Sequence, residues 1–98
     1  MIIIDINSLI ILGRTENCLK LNPIKKKIEA FNFTVSECNG HNFQSITKAL
    51  KKKTKKPLCV LAKTVKGKGF SMMENKNNWH YWNRLTKEEI DFCLREVS

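Results

Sequence analysis

The chain has 98 residues, 42% of them hydrophobic and 28% charged, and a formal net charge of +9. This length allows one domain (residues 1–98) with a thin core, and the composition is typical of a globular rather than a disordered protein. No stretch approaches the roughly 18 apolar residues of a membrane-spanning helix, and the start has no basic secretory leader, so we expect a cytoplasmic protein.

Much of the positive charge lies in two lysine clusters, at residues 25–27 and 51–56. We expect both clusters on helices or helix ends, where lysine is solvated and stabilises the negative end of the helix dipole. No aromatic residues are interleaved with these lysines to stack on bases. A nucleic-acid partner is therefore the least favoured interpretation of the charge.

The four cysteines are widely spaced, without a Cys-x-x-Cys pair or a histidine at zinc-finger spacing. We expect reduced thiols in or near the core, where cysteine behaves as a small hydrophobe. The spacing argues against a structural zinc site.

In chain order, residues 1–6 are a continuous, β-branched apolar run that predicts a strand buried on both faces of a parallel sheet. Residues 7–21 are predicted to be a loop. Asn22 as N-cap and Pro23 as first helical residue then predict a helix. Its apolar face would carry Ile24, Ile28 and Phe31.

The alternation of residues 33–38 predicts a second strand, and Asn42 can cap a second helix that ends before Pro57. Residues 58–62 predict a third apolar strand. Thr86 and Glu89 have the spacing of a capping box before a final helix.

Strands that alternate with helices of about ten residues predict an α/β fold, a three-layer α/β/α arrangement around a parallel sheet. In such sheets ligands bind beyond the carboxyl ends of the strands. Three loops leave those ends: residues 7–21, 39–42 and 63–85.

The third loop has the residues of an anion site, but its spacing is weakly specific. Gly67 and Gly69 allow close approach of the backbone to a ligand, and Lys66 and Lys68 offer charged donors to phosphate oxygens. Neither the Walker spacing nor the dinucleotide fingerprint is present, so an ordinary flexible basic loop is the alternative. His80 is equally open: it is either packed among aromatic neighbours or moves a proton near a phosphate.

Five short blocks in order carry a family resemblance. They are Asp-Ile-Asn-Ser-Leu at 5–9, Glu-Ala-Phe-Asn-Phe at 29–33, Asn-Gly-His-Asn at 39–42, Ala-Lys-Thr-Val-Lys-Gly-Lys-Gly at 62–69, and Glu-Asn with Asn-Trp-His at 74–80. From about residue 2 to residue 96 the chain resembles the second half of the thiamine-diphosphate-binding domain of transketolase, and so implies a partial transketolase fold. Met-Glu-Asn before Trp-His is most similar to transketolases divided between two polypeptides.

The resemblance implies roles for individual residues. Asn7 would bind a divalent metal through its side chain and contact the cofactor, and Leu9 would give a backbone carbonyl to the same Mg²⁺ or Ca²⁺, which bridges to the diphosphate. Lys66 matches a cofactor-pocket lysine. His80 matches a cofactor-binding and catalytic histidine that assists proton transfer on the sugar. His41 matches a structural Gly-His turn.

Two parts of the family's site are not found in these residues: the Gly-Asp-Gly turn with the metal's carboxylate, and a glutamate from another domain that contacts the aminopyrimidine ring. We therefore expect weak cofactor and metal binding by the chain alone. The predicted function is that of a truncated, transketolase-like piece of carbohydrate metabolism of the pentose phosphate type. It would transfer two-carbon ketol units between sugar phosphates only when another transketolase half or a homo-oligomer completes it.

Other functions stay open beside this one. A non-catalytic relic or binding module is the main alternative, and a deoxyxylulose-phosphate synthase-like piece or a basic nucleic-acid binder is less favoured. The strand at residues 2–6 would also present an apolar sheet edge, where we expect self-association or a partner.

Overall fold

The computed structural model describes residues 1–81 and 84–98, so residues 82 and 83 of the predicted third loop lie outside the described residues. In chain order the elements are β1 (Ile2–Ile6), β2 (Leu9–Ile10), β3 (Gly13–Arg14), α1 (Thr15–Cys18), α2 (Ile24–Ala30), β4 (Thr34–Asn39), α3 (Phe43–Leu50), β5 (Leu58–Lys63), a 3₁₀ helix (Asn77–Trp79) and α4 (Lys87–Val97).

These elements form two compact units, one of residues 1–7 and 19–64 and the other of residues 8–18 and 65–98. Each unit is built from two separate stretches of chain, and the single domain expected from the sequence stays a prediction.

The first unit is a three-stranded parallel sheet in the order β1-β5-β4. The central strand β5 is the most buried, since Cys59, Val60 and Leu61 expose 1% of their surface or less. A strand with neighbours on both sides and a helix on each face reads as a continuous apolar run. The pattern of residues 58–62 reflects that position.

Alternate residues of β5 serve two separate apolar clusters, one on each face of the sheet. Leu58 and Val60 pack with Ile46 and Ala49 of α3. On the opposite face, Cys59 and Leu61 belong to the cluster on which Ile24 and Ile28 of α2 pack. The unit therefore has the predicted three layers.

Chain connectivity explains why the two helices lie on opposite faces. The connection through α2 leads from β1 past β5 to β4, whereas the connection through α3 leads back from β4 to β5. Crossovers of the same hand that run in opposite directions along a sheet place their helices on opposite faces.

The predicted cap of α3 is confirmed, but that of α2 is not. The Asn42 side chain accepts a 2.7 Å hydrogen bond from the Ser45 backbone N–H. In α2 the N-cap is Pro23, in an extended conformation and without a side-chain bond, so Asn22 lies one residue too early to cap. Phe31 is the C-cap of α2 and is 76% exposed, so it does not continue the apolar face as predicted.

The prediction that β1 is buried on both faces is wrong. Ile4 and Ile6 pack on the α2 side of the sheet, but Ile2 and Ile3 remain 47% and 60% exposed. The physical reason is that β1 is an edge strand, paired only with β5.

In the second unit, residues 8–18 are not the plain loop expected. Leu9 pairs with Arg14 and Ile10 with Gly13 in a short antiparallel hairpin, and the single-turn helix α1 follows. Gly13 has φ of +121°, a conformation that favours glycine, and so closes the hairpin.

Helix α4 begins with the predicted capping box, in which Thr86 and Glu89 exchange side-chain and backbone hydrogen bonds. Its Cys93 is buried, with its sulfur 3.4 Å from that of Met72. All four cysteines are free and three are buried, while Cys18 is exposed. Within the described ranges no helix is both long and apolar enough to cross a membrane.

Candidate functional site

The carboxyl ends of the three parallel strands meet in register in the first unit. Lys63 of β5 lies opposite both Ile6 of β1 and Asn39 of β4. Pairing continues one residue further, because the Thr64 N–H donates to the Ile6 carbonyl at 3.1 Å and the Gly40 N–H donates to the Lys63 carbonyl at 2.7 Å. This edge is where α/β sheets bind ligands.

Thr64 is the centre of that edge. Its hydroxyl donates a hydrogen bond to Oδ1 of Asp5, so the ends of β1 and β5 are joined by side chains as well as by backbone. On the β4 side, a Cβ at Gly40 would lie 2.5 Å from Cγ2 of Thr64 and 3.1 Å from the Lys63 carbonyl oxygen. Only glycine at position 40 allows this approach.

The turn after β4 is held by local hydrogen bonds. Oδ1 of Asn39 accepts from the His41 N–H at 2.9 Å, and the Asn39 N–H donates to Oγ of Ser45 at 3.0 Å. The backbone of His41 thus contributes to an Asx turn, consistent with the structural role implied for it.

The two predicted metal-binding residues follow β1 directly. Asn7 is half-buried at the end of the first unit, immediately after Ile6. Ser8 has φ of +62° and its carbonyl accepts from the Thr15 N–H at 3.0 Å, which turns the chain into the hairpin. Leu9 is the first residue of β2, in the second unit.

These residues fit a divalent cation only as part of a larger donor set. The Asn7 amide oxygen and the Leu9 carbonyl are hard, neutral donors of the kind that Mg²⁺ and Ca²⁺ accept. In residues 1–81 and 84–98 no group of three or more His, Cys, Asp or Glu side chains is placed to hold a metal ion. Carboxylate and phosphate oxygens would have to complete the coordination.

The lysine-glycine segment of the second unit folds against the Met73–Asn75 segment. The Asn75 N–H donates to the Lys66 carbonyl at 3.0 Å. Gly67 has φ of +74°, and a Cβ there would lie 2.7 Å from the carbonyl oxygen of Met73. Gly67 therefore lets two backbone segments approach each other, rather than a ligand as the sequence suggested.

The two lysines of this turn differ in their partners. Nζ of Lys68 lies 3.2 Å from Oε1 of Glu74, which also accepts from the Gly69 N–H at 3.2 Å. Lys66 is half-buried, and its ammonium has no hydrogen bond or ion pair with any residue that the structure describes. The expectation that both lysines offer charge to a phosphate is wrong for Lys68, because Glu74 neutralises it.

His80 follows the 3₁₀ helix, and its backbone N–H donates to the Asn77 carbonyl at 3.0 Å. The imidazole contacts the Tyr81 ring edge to face, with ring centroids 5.6 Å apart. The residue is exposed, so its aromatic neighbour does not bury it. Lys66 and His80 thus lie in the same unit, on a loop whose turns are internally hydrogen-bonded.

Comparison with known proteins identifies the family. Residues 1–96 match the family described as transketolase, thiamine diphosphate binding domain. The chain belongs to this family. The resemblance noted from the five blocks and the predicted α/β fold are both confirmed.

Relatives include components of divided transketolases. The chain is 36% identical over 101 residues to one of the named subunits of apulose-4-phosphate transketolase from Actinobacillus succinogenes, covering 100% of this chain and 36% of the relative. It is 37% identical over 97 residues to 6-deoxy-6-sulfo-D-fructose transketolase subunit SqwG of Clostridium sp., covering 96% of this chain and 35% of the relative. This chain therefore spans little more than a third of the length of these relatives.

A solved structure of the family has the same fold. The crystal structure of transketolase from Campylobacter jejuni superposes with a TM-score of 0.83 at 32% identity, covering 97% of this chain and 15% of that chain. The transketolase interpretation is thus favoured over a deoxyxylulose-phosphate synthase-like piece or a nucleic-acid binder. The roles of Asn7, Leu9, Lys66 and His80 remain predictions.

Two features of this site were missed from the sequence. The bond from Thr64 to Asp5 joins residues 59 positions apart, and no local pattern indicates it. The pairing of Lys68 with Glu74 had a possible signal, since a lone acid follows the basic turn within six residues.

Proposed function

We propose that this chain forms one part of a transketolase-type thiamine diphosphate site and that the assembled enzyme transfers two-carbon ketol units between sugar phosphates. The single observation that carries the proposal is the state of Lys66, a half-buried ammonium without a partner in the described part of the chain. Because a partly buried charge without a counterion is unfavourable, such a site favours an anion such as a diphosphate.

The other predicted residues have complementary roles in this proposal. Asn7 and Leu9 would contribute neutral oxygens to a Mg²⁺ or Ca²⁺ ion, whose remaining ligands are the diphosphate and a carboxylate outside these residues. When bound, the cofactor supplies the nucleophilic carbon that carries the two-carbon unit. His80 would donate or accept a proton at a sugar hydroxyl near neutral pH.

The proposal requires other parts of the family fold, from the same or another polypeptide. The Actinobacillus succinogenes and Clostridium relatives are both named as subunits of a transketolase. We propose that another transketolase half or a second copy completes the site, in the cytoplasm and in carbohydrate metabolism of the pentose phosphate type. The net charge of +9 would favour the approach of sugar-phosphate substrates.

A chimera tests the function directly. This chain would replace the matching segment of the Actinobacillus succinogenes relative, and the product would be combined with the remaining component of that enzyme. We expect binding of thiamine diphosphate with Mg²⁺, measured by calorimetry, and cofactor-dependent ketol transfer. A folded chimera that binds no cofactor would refute the proposal, and one that binds without transfer would support the non-catalytic binding module.

Lysine variants of the chimera test the assignment of Lys66. Loss of one charge-assisted contact should weaken cofactor binding about ten- to hundredfold in Lys66→Ala. Lys76→Ala is the matched control, because Lys76 is an exposed lysine of the same loop. Equal effects of the two variants would show a general effect of charge rather than a site at Lys66.

The His80→Ala chimera tests proton transfer. We expect kcat to fall by about 10²–10⁴, the usual contribution of a positioned acid or base. An unchanged kcat would remove His80 from the catalytic residues and leave the cofactor site unaffected.

A further inference from the structure

Asp5 and Thr64 lie on the same face of the sheet, at the ends of adjacent parallel strands. Asp5 is in register with Ala62, and Thr64 follows two residues later, so the two side chains are diagonal neighbours. Ala62 packs on the cluster on the α3 side of the sheet. The bond from Thr64 to Asp5 therefore lies at the carboxyl end of that cluster.

Thr64 is fixed by three different groups. Its hydroxyl donates to Asp5, its N–H donates to the Ile6 carbonyl, and its methyl group lies against the Cα of Gly40. The side chain of Asp5, by contrast, is exposed, and its described contact is the one with Thr64. The direction of the Asp5 side chain and the end of β1 thus depend on the Thr64 hydroxyl.

The position of this pair relates it to the proposed site. Asn7 comes two residues after Asp5, and Lys66 two residues after Thr64. The chain also passes from the first unit to the second after Asn7 and again after Thr64. The pair therefore joins two chain segments just before each one continues into a residue assigned to the cofactor or metal.

We propose that Asp5 and Thr64 are a positioning pair, in which the hydrogen bond between them holds the end of β1 so that the Asn7 amide oxygen is directed for the metal. Neither side chain of the pair contacts metal or cofactor. This inference rests on the proposed function, because the binding role of Asn7 belongs to it. Outer hydrogen bonds of this kind commonly change metal affinity by about 10–100-fold.

Four variants separate the hydrogen bond from other effects. Thr64→Val keeps the shape of the side chain and its methyl contact but removes the hydroxyl, whereas Thr64→Ser keeps the hydroxyl. Asp5→Ala removes the acceptor, whereas Asp5→Asn keeps an acceptor oxygen without the charge. A positioning pair requires that Val and Ala disturb the site and that Ser and Asn preserve it.

The first readout uses the 98-residue chain without cofactor. Amide chemical shifts and hydrogen exchange would be measured by NMR at Asn7 and at the Thr64 N–H. We expect Thr64→Val and Asp5→Ala to shift the Asn7 signals and speed exchange at Thr64, and the two conservative variants to resemble the parent. Unchanged Asn7 signals in Thr64→Val would overturn the inference whatever the cofactor does.

The second readout is the Mg²⁺ dependence of thiamine diphosphate binding in the chimera. We expect about tenfold weaker Mg²⁺ binding in Thr64→Val and Asp5→Ala, and less than about twofold change in Thr64→Ser and Asp5→Asn. If Asp5→Asn is as weak as Asp5→Ala, the carboxylate acts through its charge and the positioning role is refuted. If the parent chimera binds no cofactor, the proposed function fails, and the NMR readout decides separately whether the pair positions Asn7.

Discussion

Gly67 is the residue of the lysine-glycine turn with the least room for a side chain. A left-handed φ costs a non-glycine residue about 1–2 kcal/mol, and the contact with the Met73 backbone adds a steric cost of about 1–3 kcal/mol. We expect Gly67→Ala to lower the free energy of unfolding by the sum of both terms, measured by urea denaturation.

Gly69→Ala is the matched control for this experiment. Gly69 also has positive φ, at +103°, but a Cβ there would meet nothing within 4 Å. It should therefore show the conformational cost alone, and equal losses in the two alanine variants would contradict the steric account of Gly67.

Cys59 is a second residue whose environment makes a testable difference. Its surface is 0% exposed, and burial raises the pKa of the Cys59 thiol. A thiol whose pKa is higher in the folded state stabilises the fold fully below its unfolded pKa. That contribution is lost as the pH rises through the folded pKa, so stability should decline on the alkaline side.

Cys59→Ala should flatten this alkaline decline, although the cavity it leaves lowers stability at every pH. The measurement is the free energy of unfolding against pH, compared with Cys18→Ala, which changes an exposed thiol. A folded-state thiol label that modifies Cys59 as fast as Cys18 would contradict this account.

At the scale of elements, α4 depends on its first turn. Oγ1 of Thr86 accepts from the Glu89 N–H at 3.2 Å and the Glu89 carboxylate accepts from the Thr86 N–H at 2.8 Å. Thr86→Ala should destabilise the helix by about 0.5–2 kcal/mol, and Thr86→Ser, which keeps the oxygen, by much less. Far-UV circular dichroism during thermal unfolding measures both, and equal midpoints for the two variants would exclude a capping role.

At the scale of the whole molecule, the two edges of the sheet differ in their protection. On β4, Nζ of Lys52 donates to the Val35 carbonyl at 3.1 Å, and Glu37 pairs with Lys25 and Lys63. The β1 edge has exposed isoleucines instead, and of its five residues only Asp5 is charged. Charged groups on an edge oppose strand pairing, so β4 is guarded and β1 is not.

We expect the isolated chain to self-associate through β1, and the association to strengthen with salt because a net charge of +9 on each copy is then screened. Ile3→Lys should shift sedimentation toward the monomer. Phe31→Lys is the control, since it places the same charge on another exposed apolar residue. A monomer at high concentration and high salt would contradict the prediction, as would equal effects of the two substitutions.

The sequence by itself determined what depends on a few neighbouring residues. The periodicity of α3 and α4, the caps at Asn42 and Thr86, the apolar run of β5 and the family blocks are all local patterns. They predicted the parallel α/β fold and the thiamine diphosphate family because local propensity and the tertiary fold agree there.

Only the tertiary structure decided which residues lie next to one another across strands and turns. It made β1 an edge strand, gave Lys68 a counterion in Glu74 while leaving Lys66 without a partner among the described residues, and joined Asp5 to Thr64. These features follow from strand order, register and turn geometry. Those are set by packing between distant segments, which is why no local pattern in the chain contains them.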